Sequence, residues 1–302
     1  MVKVKKVFET LLTPMARISP KGVVYARYFL RFHRFPNLRK PKDLNEKILY
    51  LKLFTDITPW IRLADKYRVR EYVKSCGLDD ILIPLIGVWE RVEDIPFEKL
   101  PRNVMFKANN GDGRGTNKVV DLQSLTADGL ESLKAELQRW LSKKDIGVLS
   151  AEPQYRDIPP LIVAEEVLPV NDGFSSLIDY KIWCFDGKPY SFLVCTNRAD
   201  ASAQVCSYDL NWHRHPEHMV NLNKYTRYDQ DIPRPSQLDR MIEVARVLSK
   251  PFPEVRVDLY EVNGRIYFGE LTFTSLGGMM NYYTPSYLEE MGAQITLPPR
   301  TR

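Results

Sequence analysis

Two dipeptides, Asp186-Gly187 and Asn263-Gly264, sit between runs in which apolar and polar residues alternate, and such dipeptides are the strongest short-range signal for a hairpin. A chain that turns back on itself this way builds antiparallel sheet. LIDYKIWCF precedes the first dipeptide, with PYSFLVCTNR and AQVCSYD after it; Val255 to Tyr260 and Ile266 to Phe273 flank the second. Further strands are expected at Ile81 to Trp89, Val104 to Lys107 and Leu161 to Leu168. Helical spacing lies elsewhere, over Asn45 to Phe54, Trp60 to Cys76, Leu125 to Leu141 and Pro235 to Ser249, the last with Leu238, Ile242, Ala245 and Leu248 on one face. Segregated helices and antiparallel pairs, without a steady βαβ alternation, argue for an α+β fold.

At 302 residues, 44% hydrophobic and 27% charged, the chain can bury one large core or two modest ones. No apolar run approaches the roughly 20 residues of a membrane-spanning helix. The start, MVKVKKVFETLLTPMAR, lacks the uninterrupted apolar stretch of a secretory signal, so a cytoplasmic protein is expected. Four cysteines, Cys76, Cys184, Cys195 and Cys206, are too few to staple this length and form no C-x-x-C pair, which reads as reduced thiols, mostly core.

Charge is distributed unevenly. Residues 1–42 hold 11 Lys/Arg and one acid, Glu9, whereas the rest of the chain holds 32 basic and 37 acidic side chains. That is unlike a nucleic-acid-binding domain, whose basic stripe lies on its fold. Within the basic segment, Lys21 to Arg34 reads as an amphipathic helix with Arg27, Arg31 and Arg34 three to four apart. Such a helix either packs on the main domain with its arginines solvated, or meets a membrane surface or an anionic glycan at the periphery of the inner membrane face.

Three stretches carry chemistry. Lys107 ends a strand and leads into a loop with Gly111, Gly113 and Gly115, where backbone N–H groups can approach an anion without side-chain obstruction. The loop runs into Lys118-Val119-Val120, a strand, so it is neither a Walker A loop nor a Rossmann fingerprint; a plain hairpin loop is the alternative. In the second stretch, Arg256, Asp258, Glu270 and Thr272 lie on either side of the Asn263-Gly264 turn. Strict alternation puts Glu270 on one face with Phe268 and Thr272. A two-residue loop would set Asp258 and Glu270 on opposite faces, whereas a three-residue loop with Gly264 left-handed pairs 261 with 265 and makes Arg256 face Glu270 with Asp258 diagonal. The three-residue loop is expected. Carboxylates and a guanidinium gathered on one face bind a divalent metal and phosphates, or else form a solvated salt-bridge ladder. In the third stretch, Glu165 and Glu166 interrupt an apolar strand, and Asp179 and Lys181 share a face of the next.

Together with Asp65-Lys66 on an expected helix, these stretches resemble the ATP-grasp superfamily. More narrowly, PKDLNEKILYLKL, LADKYRVREYV, LIPLIGVW, DYKIWCFDGKP and VRVDLY…GRIYFGELTFT resemble its TupA-like branch of teichuronopeptide and surface-polysaccharide biosynthesis proteins, over about residues 35 to 285. The resemblance implies two α+β subdomains gripping ATP, at 59–165 and 166–285, after a basic helical segment at 1–58 and before a tail at 286–302. It implies that Lys66 and Lys107 bind phosphates with the loop of Gly111, Gly113 and Gly115, that Glu165, Glu166 and the backbone after them hold adenine, and that Asp179 accepts from ribose. It further implies that Lys181 meets the γ-phosphate, that Asp258, Glu270 and Thr272 bind magnesium, with Thr272 where the superfamily commonly has Asn, and that Arg256 stabilises an acyl phosphate. The implied activity is ATP- and Mg²⁺-dependent ligation of a carboxylate to an amine, with small-molecule or glycan substrates and no nucleic acid. A kinase, a glycosyltransferase-like enzyme and a non-catalytic nucleotide-binding module are the alternatives. His213, His215 and His218 raise the question of zinc, but Pro216, Arg214 and the lack of a distant fourth ligand argue for a polar loop.

Overall fold

In the computed structural model, the described residues are 16, 18–111, 115–143, 146–148, 150–198, 203–220, 225–228 and 230–301. In chain order the helices are α1 (Pro20–Phe32), α2 (Leu44–Phe54), α3 (Thr58–Ala64), α4 (Val69–Ser75), α5 (Ala127–Leu141), α6 (Pro153–Arg156), α7 (Leu238–Ser249) and α8 (Pro285–Ala293). The strands are β1 (Leu85–Trp89), β2 (Asn103–Ala108), β3 (Asn117–Asp121), β4 (Ile162–Glu165), β5 (Asp179–Phe185), β6 (Lys188–Thr196), β7 (Ala203–Tyr208), β8 (Tyr225–Arg227), β9 (Glu254–Val262) and β10 (Arg265–Thr272). They form two sheets in two compact units, each assembled from separated stretches of chain.

The described residues of the first unit lie within 16–27, Thr58–Tyr72 and Ile83–Val167. Its antiparallel sheet runs β1-β4-β2-β3. The period of two along β2 sends Val104, Phe106 and Ala108 into a core with Ile162 and Ala164 of β4, closed by Leu133, Leu137 and Trp140 of α5. Thr126 starts α5 by accepting from the Gly129 N–H at 3.1 Å. Lys107 and Glu165 therefore emerge on the opposite face.

The second unit comprises Tyr28–Ile57, Val73–Leu82 and Leu168 onward. Its sheet runs β10-β9-β5-β6-β7-β8, antiparallel except for β7 with β8. One face packs on α7, whose buried Leu238, Met241, Val244, Ala245 and Leu248 form the stripe the spacing foretold, with Met241 and Val244 inside and Ile242 only half-buried. Asp186 and Gly187 both adopt positive φ, 47° and 72°, and close a two-residue hairpin that pairs Phe185 with Lys188.

The segment 28–57 and the stretch after residue 285 both belong to this unit: α2 is buried almost all round and packs on α8, where a Cβ at Gly292 would meet the Lys42 carbonyl oxygen at 2.2 Å. The helix expected over Trp60 to Cys76 is two helices, α3 and α4. Asp65, 1% exposed, ends the first and accepts at one oxygen from the Tyr67 and Arg68 N–H groups at 2.8 and 3.2 Å, which competes with helical bonding. All four cysteines are free, and burial pushes the Cys184 thiol up to about 12 and the Cys195 thiol up to about 11. Among the described residues, no helix is long and apolar enough to cross a membrane.

Candidate functional site

In the first unit, Lys66 lies in the turn between α3 and α4 rather than on a helix. Its backbone N–H donates to the Asn109 carbonyl at 3.0 Å and its Nζ to the Gly111 carbonyl at 2.6 Å, so the turn is tied at two points to the start of the glycine-rich loop. Asn109 tethers that start in turn, donating through Nδ2 to the Pro159 carbonyl at 2.9 Å and accepting from the Leu161 N–H at 2.7 Å. Gly111 is required by space: a Cβ there would meet Thr116 Oγ1 at 2.2 Å. Gly115 is required by conformation, with φ 89°. Gly113 lies outside the described residues.

Lys107 projects from β2 toward Glu165 at the end of β4, with Nζ 2.6 Å from Oε2. The other carboxylate oxygen of Glu165 accepts from Arg70 Nη1 at 3.1 Å, while Arg70 Nη2 donates to the Ile83 carbonyl at 2.8 Å. Both oxygens of this buried carboxylate are thus engaged by cations. Glu165 is the counter-ion of Lys107 and Arg70. Glu166 points to solvent, and its N–H donates to the Pro84 carbonyl at 3.1 Å. Sequence reasoning missed Arg70: nothing in helical spacing reveals that its partner is 95 residues away.

In the second unit, the β9–β10 hairpin differs from its expected form. Asn263 (φ 52°) and Gly264 (φ 72°) make a two-residue turn that pairs Val262 with Arg265. By alternation alone this turn would separate the acids. A bulge at Gly269 resets the register between Phe268, opposite Leu259, and Glu270, opposite Asp258. Phe268 goes to the α7 side, whereas Glu270 and Thr272 share a face with Asp258 and Arg256. Gly269 suits the bulge because a Cβ would come within 2.9 Å of the Asp258 carbonyl oxygen.

Lys181 and Trp183 of β5 stand opposite Asp258 and Arg256 on that face. Arg256 holds Asp258 in a fork, Nε to Oδ1 at 2.7 Å and Nη2 to Oδ2 at 2.8 Å, and also donates to Ser275 Oγ at 2.8 Å and Thr272 Oγ1 at 3.1 Å. The guanidinium lies 5.7 Å from the Trp183 ring centre, and the Trp183 indole N–H donates to the Tyr283 hydroxyl at 2.9 Å. Lys181 bonds Asp258 and is 2.7 Å from Asp179, which also pairs with Arg198 Nη1 at 2.6 Å. Glu270 carries its carboxylate 3.7 Å from Arg256 Nη2, with its side chain 40% exposed.

Three cations and three carboxylates balance in this network, which makes burial of Asp179, Lys181, Arg256 and Asp258 tolerable. Burial opposes the charge on Asp258, but Arg256 and Lys181 overcome it and hold the carboxyl down to about 2. Lys181 shows the same contest with opposite sign: burial pulls its pKa down, and Asp179 and Asp258 carry it above the usual lysine value. Asp179 Oδ1 is buried without a hydrogen-bond partner, an acceptor aimed at no described donor.

As a donor set, ionised Asp258 and half-exposed Glu270 are hard oxygens that fit a divalent cation such as magnesium. The Thr272 hydroxyl is on the same face and accepts from Arg256 Nη2 at 3.1 Å.

The histidine-rich segment holds a ring stack. His215 and His218 lie 4.8 Å apart and nearly parallel, and His218 lies 3.7 Å over Tyr287. Ligand atoms of His215, Glu217 and His218 come within 4.8 Å of one another. Stacked rings, however, aim their in-plane lone pairs along parallel planes instead of at one ion.

The model of the TupA-like ATP-grasp family matches residues 46–296. No curated protein matches the chain. Among solved structures, the D-alanine–D-alanine ligase from Bacillus anthracis is similar at 15% identity and a TM-score of 0.48, covering 83% of this chain and 71% of its own. A RimK domain ATP-grasp protein from Sphaerobacter thermophilus is similar at 13% identity and 0.39, covering 76% and 64%. The ATP-grasp ligase PsnB with Mg and ADP bound is similar at 13% and 0.37, covering 78% and 60%.

Proposed function

We infer, from the fact that the chain belongs to the TupA-like ATP-grasp family and from the acid pair set face to face by the Gly269 bulge, that it is an ATP- and magnesium-dependent carboxylate–amine ligase. The pairing of Asp258 with Glu270, on the sheet face that also carries Lys181 and Arg256, is the observation that supports this most. Asp258 and Glu270 would hold magnesium, whose positive charge would offset that of the phosphates.

The remaining roles follow from chemistry each group already has. Lys66 and Lys107 offer cations to phosphates, and Gly111 and Gly115 keep side chains away from the loop backbone. Lys107 is oriented by Glu165. Lys181, kept protonated by Asp179 and Asp258, offsets charge on the transferring phosphoryl group. A substrate carboxylate oxygen attacks the γ-phosphorus, ADP leaves, and an acyl phosphate results. An amine then adds to the acyl carbon, phosphate departs with the former carboxylate oxygen, and the amine loses a proton as the amide forms. Arg256, braced by Ser275, Thr272 and the Trp183 ring, stabilises negative charge on the acyl oxygens. No protein nucleophile is needed, in keeping with the high-pKa buried cysteines. The TupA-like resemblance supports a uronic or amino acid of a bacterial surface glycan as the carboxylate.

Calorimetric titration with a non-hydrolysable ATP analogue tests the nucleotide site. Binding that requires Mg²⁺ and is lost in Lys107→Ala is expected; absence of binding by the unaltered protein would remove the ligase reading.

A further inference from the structure

The basic segment before α2 carries an apolar patch that the ligase reading leaves unused. α1 buries Val23, Val24 and Tyr28, which accounts for one side of the helix. On its remaining surface Phe29 is 43% and Leu30 55% exposed, and Phe35, just beyond the helix, is 62% exposed. The Phe29 and Phe35 rings stack at 4.9 Å, so the two make one continuous apolar surface. Scattered single apolar residues on a surface need no explanation, whereas adjoining aromatic rings point to something that covers them.

Charge along this stretch of sequence has one sign. Arg31, Arg34, Arg39, Lys40 and Lys42 fall within residues 28–42, which contain no acidic residue, and Arg39, Lys40 and Lys42 are all exposed. The segment is also held firmly. Arg34 bridges Asp43 and Glu46 at 2.6 and 2.8 Å and lies over the Tyr28 ring, and Arg31 donates to Asn281 at 2.5 Å.

We propose that Phe29, Leu30 and Phe35, with Arg39, Lys40 and Lys42, form a docking surface for an anionic lipid bilayer. The aromatic rings would enter the headgroup boundary while the cations meet lipid phosphates, the combination that distinguishes a lipid surface from a purely polar polyanion. An anionic glycan would use the cations and leave the rings in water. The proposal is independent of the ligase reading, because none of these residues belongs to the nucleotide, metal or acyl-transfer machinery.

The test is flotation of the full chain with vesicles of phosphatidylcholine alone and of phosphatidylcholine mixed with phosphatidylglycerol. Partition onto the mixed vesicles only, weakened at least about tenfold both by Phe29→Ser/Phe35→Ser and by Arg39→Gln/Lys40→Gln/Lys42→Gln, is the expected result. The charge variant keeps the test decisive if the aromatic variant misfolds. Three results would overturn the proposal: no partition onto mixed vesicles, partition indifferent to the two aromatic rings, or self-association in solution that Phe29→Ser/Phe35→Ser abolishes. The last would mean that a second copy of the chain covers the patch.

Discussion

Glu270 stands directly opposite Asp258 across β9 and β10, and Gly269 is the residue that puts it there. An added Cβ would press on the Asp258 carbonyl and, at 3.1 Å, on the Tyr260 ring. Gly269→Ala should therefore cost about 1–3 kcal/mol of stability in urea unfolding and weaken Mg²⁺-dependent nucleotide binding at least tenfold. Unchanged binding would show that the bulge does not set the acid pair.

Glu165 joins two cations that would otherwise face each other. Glu165→Gln should lose about 3 kcal/mol of stability, because removing one member of a buried ionic group strands the others. It should also raise the dissociation constant of the nucleotide, as Lys107 loses the carboxylate that orients it. Equilibrium unfolding and calorimetry on the same variant separate the two effects.

These two sites show what was legible in the sequence and what was not. Asn263-Gly264 located the hairpin correctly, but both loop lengths fit the pattern, and the three-residue expectation was wrong. The acids met all the same, because the bulge compensates for the shorter turn. A glycine inside a strand was the available signal for it. Lys107 and Glu165 each stand out in the sequence, yet their pairing depends on β2 lying beside β4, and no spacing within either strand contains that neighbour. Helical spacing over Trp60 to Cys76 places Lys66 on a helix; the local Asp65 hydrogen bonds that break that helix have no period. Arg256 and Asp258, two residues apart on one strand, share a face by alternation alone, so their fork was nearest to being readable.

His218 gives a pH dependence with a definite sign. Burial, then the adjacent His215, holds its imidazole below the ordinary 6.5, while Glu217 and Glu290 pull weakly the other way. The unfolded state thus takes up the proton first, and the stability associated with neutral His218 is full above pH 6.5 and lost as pH falls below it. His218→Phe, which keeps a ring over Tyr287, should flatten the decline in unfolding free energy between pH 7 and pH 5. An unchanged slope would assign the decline to other groups.

Glu254 gives the opposite slope. It is fully buried, neither carboxylate oxygen has a hydrogen-bond partner among the described residues, and burial raises its pKa well above 4.5 against the pull of Arg256. Its favourable state is the protonated one, present below pH 4.5 and lost as pH rises through the elevated value. Glu254→Gln should be more stable than the unaltered protein at pH 8, by about 1–3 kcal/mol, and equal to it near pH 4. Thermal unfolding at the two pH values measures both.

In the proposed reaction a carboxylate oxygen attacks ATP. Uronic and amino acids labelled with oxygen-18 in the carboxylate, supplied with an amine, ATP and Mg²⁺, test it directly. One labelled oxygen should appear in the released inorganic phosphate for each amide formed, and Glu270→Gln should release none. Label-free phosphate, or phosphate retained on the product, would contradict an acyl phosphate and reassign the site to transfer onto a hydroxyl or onto water.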